Sequence, residues 1–313
     1  MSDNLLDPQA ATLLDQFEKG VAPPSWTLSV ETGRQLLEDL FGDAPDADVE
    51  ETTDLEIQGP NGSIPLRIYT PLSGEAPYRI LVYLHGGGWV RGSVDAYDPM
   101  LRQLANESES VLVAIDYRRA PEHPFPVPFE DCYHATAWVA EHAETLQGNG
   151  DSVAIGGDSA GGNLSAAVAL AARDRGGPDL AHQLLIYPAV NPPNIRWFDS
   201  YDENGSGYFL EFESVEWYLD QYLSKEADRA NIYAFPLRAN DHANLPTVTV
   251  LTAGFDPLRD EGFAYADRLE NAGISVNHLH YEQQIHGFVN LGHYIDAAED
   301  AIESLAASLR ESV

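Results

Sequence analysis

The sequence predicts an α/β fold: a mostly parallel sheet of about eight strands, flanked by helices and covered by a helical cap. Three observations carry that expectation. Short, unbroken apolar runs recur along the chain, at Ile80–Leu84, Val111–Ile115, Val153–Ile155, Leu184–Tyr187 and Val248–Leu251. A strand buried on both faces has no polar side to present, so it reads as such a run rather than as an alternation. Helical stretches separate most of the runs, as parallel neighbours require. Composition supplies the apolar mass: 44% of the 313 residues are hydrophobic and 10% aromatic, which excludes a disordered chain.

Taken in order, the N-terminal residues read as helices, with Leu13, Leu14 and Phe17, then Leu36, Leu37, Leu40 and Phe41, at helical spacing. Two alternating strands follow, Thr52–Gln58 and Ser63–Tyr69, joined through the turn residues Gly59-Pro60-Asn61-Gly62. The core runs come next. The stretch from Asn191 to Asp241 breaks their rhythm with Pro192-Pro193, the aromatics Trp197, Phe198, Tyr201, Tyr208 and Phe209, and a helix around Ser214–Leu223. An insertion of that length between core strands is functional or a lid. Residues 1–45 and 191–241 are therefore expected to cap the carboxyl edge of the sheet. A last strand, Ser275–Tyr281, precedes a C-terminal helix ending near Arg310. No repeat divides the chain, so residues 1–313 read as one domain.

Charge narrows the function. Fifty acidic side chains against seventeen basic ones give a formal −33, and the only lysines are Lys19 and Lys225. Nucleic acid is excluded as a partner, since phosphate contacts need a basic surface. The same field repels anionic membrane surfaces. The longest apolar stretch, Ala166–Ala172, falls far short of the roughly 18 residues of a membrane span. The opening MSDNLLDPQA has neither the basic flank nor the apolar centre of an export signal, which points to the cytoplasm. A lone cysteine, Cys132, forms no internal disulfide and excludes a multi-cysteine zinc site; it is expected as a small packed residue in a helix. An acid excess spread along the whole chain fits adaptation to high salt, where the Debye length shrinks to about 3 Å. Neither lysine stands in a phosphate-binding loop, and no Gly-x-Gly-x-x-Gly occurs.

The strongest chemical signal is Gly157-x-Ser159-x-Gly161, which directly follows the strand Ser152–Ile155 and opens an Ala-rich helix running to Ala172. This strand–turn–helix context is that of a nucleophile elbow; the plainer alternative is a Gly-rich turn with a capping serine. His85-Gly86-Gly87-Gly88-Trp89 follows another core run, and its glycines leave backbone N–H groups unobstructed, as an oxyanion hole requires. A flexible loop is the alternative there. A hydrolytic serine needs a base and an orienting acid. His286, in Ile285-His286-Gly287-Phe288, and Asp256, just past the strand Thr247–Ala253, both fall at strand ends. Asp260 is the nearby rival for the acid, one helical turn further on. His278 and His280 share a strand face without a third ligand, so a half-exposed face is expected there and no metal site. The pairs Glu50-Glu51 and Asp260-Glu261 are expected to be solvated surface. The aromatics of the cap either line an acyl pocket or pack.

Together these motifs resemble the hormone-sensitive-lipase-like carboxylesterases of the α/β-hydrolase superfamily, in the branch whose serine motif reads GDSAGG. The resemblance covers nearly the whole chain: HGGGW, Asp116-Tyr117-Arg118-Arg119-Ala120-Pro121-Glu122 with Pro124-Phe125-Pro126, GDSAGGNL, Asp256-Pro257-Leu258-Arg259-Asp260-Glu261, His286-Gly287-Phe288 and, in the cap, Gly207-Tyr208-Phe209-Leu210. Arg119 departs from it, standing where the family usually carries an apolar residue, and the acidity points to a salt-adapted, haloarchaeal member. The resemblance implies hydrolysis of carboxylic esters, of short acyl chains, with Ser159, Asp256 and His286 as the triad and no cofactor or metal. It implies an oxyanion hole formed by the amides of Gly87, Gly88 and Ala160, with Gly86 shaping the turn and His85 supporting the loop. Asp158 and Glu122 would be structural partners around the elbow and the Arg118 loop. Trp89, Tyr187 and Tyr208 are the expected substrate contacts, and the strand 275–281 the expected seam of a homodimer. A catalytically inactive small-molecule receptor of the same fold, or a cousin acting on amides or acetylated sugars, stays open at this point.

Overall fold

Residues 5–19, 23–44, 47–194 and 196–312 are described by the computed structural model. The chain begins with two helices, α1 (Pro8–Lys19) and α2 (Val30–Phe41), the second capped by Ser29, whose hydroxyl accepts the Thr32 amide at 3.1 Å. The expected hairpin follows as β1 (Glu51–Gly59) and β2 (Gly62–Thr70). Gly59 pairs with Gly62 across Pro60 and Asn61, and Gly62 takes φ +134°, a value that only glycine adopts freely.

After the hairpin come β3 (Tyr78–Leu84), α3 (Val94–Ser108), β4 (Ser110–Ile115), α4 (Val127–Glu141), β5 (Gly148–Asp158), α5 (Ala160–Arg175) and β6 (His182–Ile186). The segment that breaks the sequence rhythm holds α6 (Asp199–Glu203) and α7 (Phe212–Tyr222), and the chain closes with β7 (Thr247–Phe255), α8 (Arg259–Asn271), β8 (Val276–Ile285) and α9 (Ala297–Ser312). Among the described residues the sheet has eight strands in the order β1-β2-β4-β3-β5-β6-β7-β8. The β1/β2 and β2/β4 pairs are antiparallel and every later pair is parallel.

The unbroken apolar runs are explained by burial on both faces. Along β3, Ile80, Val82 and Leu84 pack with Phe129, Cys132 and Ala135 of α4 and Leu164 and Val168 of α5. Leu81 and Tyr83, on the opposite face, pack with Leu101 and Leu104 of α3 and Leu305 and Leu309 of α9. Each large side chain buried this way contributes about 1.5–3 kcal/mol. The helices outside these layers seat on different parts of the core. Ala10 and Leu13 of α1 and Phe41 of α2 join the α3/α9 side. Val215, Leu219 and Tyr222 of α7 join the α4/α5 side, and Tyr201 of α6 packs with Leu170, Leu185 and Tyr265.

Three elements run longer than expected. β5 reaches from Gly148 to Asp158 because Gly156, Gly157 and Asp158 pair with Leu184, Leu185 and Ile186 of β6; pairing recruits residues that no strand propensity selects. β8 continues past Tyr281 to Ile285 beyond a register shift opposite Gly254. There a Cβ at position 254 would stand 1.8 Å from the Glu282 carbonyl oxygen. Helix α9 ends at Ser312. No helix of the described residues is long and apolar enough to cross a membrane.

Candidate active site

The carboxyl ends of β3, β5, β7 and β8 meet at one place, and the chain is shaped to bring chemistry there. At the end of β5 the main chain turns sharply into α5. A Cβ on Gly157 would lie 2.2 Å from the Leu84 carbonyl oxygen, and one on Gly161 only 1.8 Å from the same atom. Both glycines are therefore required by the crossing of α5 over the end of β3. Between them Ser159 is held at φ +54°, ψ −116°, a strained conformation costing about 1–3 kcal/mol. Three main-chain bonds hold it: its amide donates to Ile186 O at 2.8 Å, and its carbonyl accepts from Asn163 N at 3.0 Å and Ala189 N at 3.2 Å.

His286 follows β8 directly, and Gly287 beyond it takes φ +81°. Its Nδ1 lies 2.8 Å from Asp256 Oδ2 and its Nε2 2.9 Å from Ser159 Oγ. The carboxylate only accepts, so Nδ1 carries the ring proton and Nε2 is left to accept from the serine hydroxyl. Asp256 is wholly buried and takes a second bond from the Leu258 amide at 2.8 Å. The Tyr187 ring lies 4.6 Å from the imidazole. Asp260 sits elsewhere: its carboxylate accepts the Ser200 amide at 2.9 Å and Arg259 Nε at 2.7 Å.

Opposite Ser159, the glycine loop after β3 presents its amides. A trans peptide points its N–H away from its own C=O, so whatever holds the carbonyl aims the amide. Gly86 O is held by the His85 ring at 2.8 Å, which aims Gly87 N–H. Gly87 O accepts from Val90 N and Arg91 N at 3.2 and 2.8 Å, which aims Gly88 N–H. Ser159 O, held as above, aims Ala160 N–H at the start of α5, where the helix dipole favours negative charge. Burial keeps His85 neutral by pulling its pKa down to about 3. The Arg119 guanidinium donates to Gly92 O at the loop's far end.

Gly86 itself is not available: its amide donates to Asp158 Oδ1 at 2.9 Å. Asp158 also accepts from Tyr83 (3.1 Å), Tyr97 (2.9 Å) and Asn290 (3.3 Å). Burial pushes its carboxyl up to about 6, against the pull of those donors. Asp158 thus ties the glycine loop to the segment after His286.

Glu122 takes a two-pronged bond from Arg34 of α2, which also holds the Ala120 carbonyl, while Arg118 pairs with the buried Asp131 of α4. Several expectations need correction. Glu261 is not solvated surface. It is 1% exposed and accepts the amides of Val190 (2.6 Å) and Asn191 (3.2 Å) and the Tyr201 hydroxyl. Burial drives its carboxyl up to about 8. Trp89 turns inward at φ +61°, stacks on Tyr222 at 4.4 Å and donates to Asn163 Oδ1 at 3.3 Å. Tyr187 is likewise buried, and Tyr208 packs on Phe255. His278 and His280 each lie 2.9 Å from the one Thr252 hydroxyl and flank Phe263. The reading also missed Asn204, whose amide donates to Gly254 O at 3.1 Å and Asp256 O at 3.2 Å and so braces the acid loop. No local signal marks that residue.

The chain's likeness to known proteins agrees with this geometry. A family signature described as alpha/beta hydrolase fold matches residues 81–290. The esterase LipI of Mycobacterium tuberculosis is 37% identical over 295 residues, covering 90% of each chain. The carboxylesterase NlhH of the same organism is 36% identical over 318 residues, covering 98% of this chain and 96% of its own. Among solved structures, an ester-hydrolase from the metagenome of Lake Arreo superposes with a TM-score of 0.94 at 38% identity, over 98% of this chain and 99% of that one. An eight-stranded sheet, a serine elbow at its carboxyl edge and esterase relatives along nearly its whole length make this chain a member of the α/β-hydrolase fold family, a carboxylic ester hydrolase.

Proposed function

We propose that Ser159 is the nucleophile of a two-step hydrolysis, with His286 as base and then acid, and Asp256 as the orienting carboxylate. One observation carries the reading: the unbroken run of hydrogen bonds from Asp256 through His286 to Ser159, at 2.8 and 2.9 Å. In the first step His286 Nε2 takes the hydroxyl proton while Oγ attacks the ester carbonyl carbon. The negative charge gathering on the carbonyl oxygen meets the amides of Gly87, Gly88 and Ala160. Collapse expels the alcohol, which leaves with the proton from His286. Water repeats the sequence on the acyl-serine and releases the acid. The scheme calls for no cofactor and no metal. The Lake Arreo ester-hydrolase lends support, having been solved with a bipyridine phosphonate derivative; tetrahedral phosphorus mimics the acyl-transfer intermediate.

The same reading makes α1, α2 and residues 191–241 a cap. Tyr218 lies against Gly88 and Phe209 against Gly287, which supports a narrow site and short acyl chains. With a formal −33, self-repulsion opposes the folded state unless salt screens it, which supports a salt-adapted, cytoplasmic enzyme of a halophile. The open edge of β8 is the proposed seam of a homodimer, and light scattering in high salt that gives a 34.3 kDa particle would remove that part.

One experiment addresses the rest: p-nitrophenyl esters from acetate to palmitate, assayed in molar KCl and again after dialysis into dilute buffer. Acetate to hexanoate should be turned over far faster than palmitate, and activity should fall on dialysis and return with salt. Ser159→Ala should abolish hydrolysis and fluorophosphonate labelling, His286→Ala should match it, and Asp256→Asn should cost less but still about ten thousandfold. Wild-type rates from Ser159→Ala would end the serine mechanism.

A further inference from the structure

The glycine loop, residues 86–92, is anchored on its inner side by Asp158. Its outer arm, Trp89-Val90-Arg91, is gripped by helix α2. Arg34 Nε donates to Val90 O at 2.8 Å and Nη2 to Ala120 O at 3.0 Å. The fork then closes on both carboxylate oxygens of Glu122, at 2.8 and 2.7 Å. Ala120 N already donates to Trp89 O at 2.9 Å. One guanidinium therefore ties two neighbouring segments of chain, already bonded to each other, to a helix more than fifty residues away in sequence.

Arg91 strengthens the contact from the loop side. It is 5% exposed, donates to Ser25 O at 2.7 Å and lies over the Trp217 and Tyr218 rings. It leaves no room on α2 for a side chain at Gly33, where a Cβ would stand 2.3 Å from its Nε.

We infer that Arg34 is a positioning residue for the oxyanion hole: by holding the Val90 carbonyl it fixes the arm whose amides set the tilt of the Gly87–Gly88 peptide. The route is short. Val90 N and Arg91 N are the donors to Gly87 O, so a shift of that arm rotates the peptide and carries Gly88 N–H off its aim. The Glu122 partner is half-exposed, and an exposed ion pair in salt holds little by itself. The backbone acceptors are what Arg34 is shaped for, because a lysine offers one point charge and cannot span three acceptors. Arg34 also keeps Glu122 ionised, with its carboxyl held down to about 2. The inference rests on Ser159 acting as the nucleophile.

The test uses the full chain in molar KCl, with p-nitrophenyl butyrate as substrate and an alkyl trifluoromethyl ketone as inhibitor. The ketone's serine adduct carries an oxyanion and reads the hole directly. Arg34→Met should lower kcat about tenfold, leave KM within about twofold, and weaken ketone inhibition by the same factor as kcat/KM. Arg34→Lys should show the same pattern at about threefold, and it carries the test if Arg34→Met fails to melt cooperatively. A kcat within twofold of wild type in the folded variants overturns the inference, as does a fall in kcat with ketone affinity unchanged. Full activity in Ser159→Ala would instead remove the mechanism on which the inference stands.

Discussion

Around Ser159 main chain is held by main chain, whereas around Asp256 it is held by side chains reaching in from afar. The elbow depends on Gly157 and Gly161 passing a carbonyl oxygen of β3 at distances no Cβ tolerates. The acid loop depends on Asn204 bracing two carbonyls, on Ser200 donating to Pro257 O at 2.7 Å, and on Glu261 tying α8 to Val190, Asn191 and Tyr201. The first kind of support is steric and admits almost no substitution. The second is a set of bonds of about 1–3 kcal/mol each, removable one at a time. Ser159 is thus fixed by packing, and Asp256 is tunable from residues 190–204.

That contrast can be broken at its steric end first. Gly161→Ala should be the most damaging single change, costing about 3 kcal/mol or more as the new methyl meets Leu84 O. Urea denaturation in KCl measures the loss, and ester turnover should vanish with it. A variant with the wild-type midpoint and rate would mean that the elbow is not limited by space. On the other bank, Asn204→Ala should cost about 1–2 kcal/mol of stability and lower kcat about tenfold through a misplaced Asp256. Equal damage from the two substitutions would erase the distinction between the banks.

The smallest effect on turnover comes from a site that serves neither bank. His182 opens β6 and its ring reaches β7, bonded to Thr247 Oγ1 at 2.8 Å and Thr249 Oγ1 at 3.0 Å, and burial pulls its pKa from 6.5 to about 4. The sign follows from linkage. Between pH 6.5 and 4 the unfolded chain takes up a proton that the folded chain refuses, so this contribution is complete above 6.5 and is lost as the pH falls. Wild type should therefore lose about 2 kcal/mol more than His182→Gln between pH 7.5 and 5, with kcat in the variant within about twofold. Equal acid sensitivity in the two proteins would show that His182 is not the group being titrated.

What the sequence disclosed divides along the same line. Each core strand was legible because burial on both faces writes a continuous apolar run. The elbow was legible because its steric demand is local: Gly157, Ser159 and Gly161 lie within five residues. Asn204, Arg34 and the burial of Glu261 were not. Their partners stand roughly fifty to ninety residues away, and an acid beside Asp260 at a helix start looks like any solvated pair. Nothing near Glu122 in sequence marks its partner, which α2 supplies as Arg34. The end of β8 was missed for a related reason. Glu282-Gln283-Gln284 offers no apolar alternation, and pairing with β7 carries the strand through.

The scarcity of lysine has a practical outcome. Lys19, ion-paired with Asp15, ends α1, and Lys225 follows α7 by three residues. Both lysines thus lie on the segments proposed as the cap, and none on the sheet or on α3, α4, α5, α8 or α9. The only thiol, Cys132, is buried. With the α-amino group blocked first, an amine-reactive donor and acceptor dye would therefore attach at positions 19 and 225 without any engineered residue, and a change in the energy transfer between them on adding substrate would test whether the proposed covering segments part during turnover.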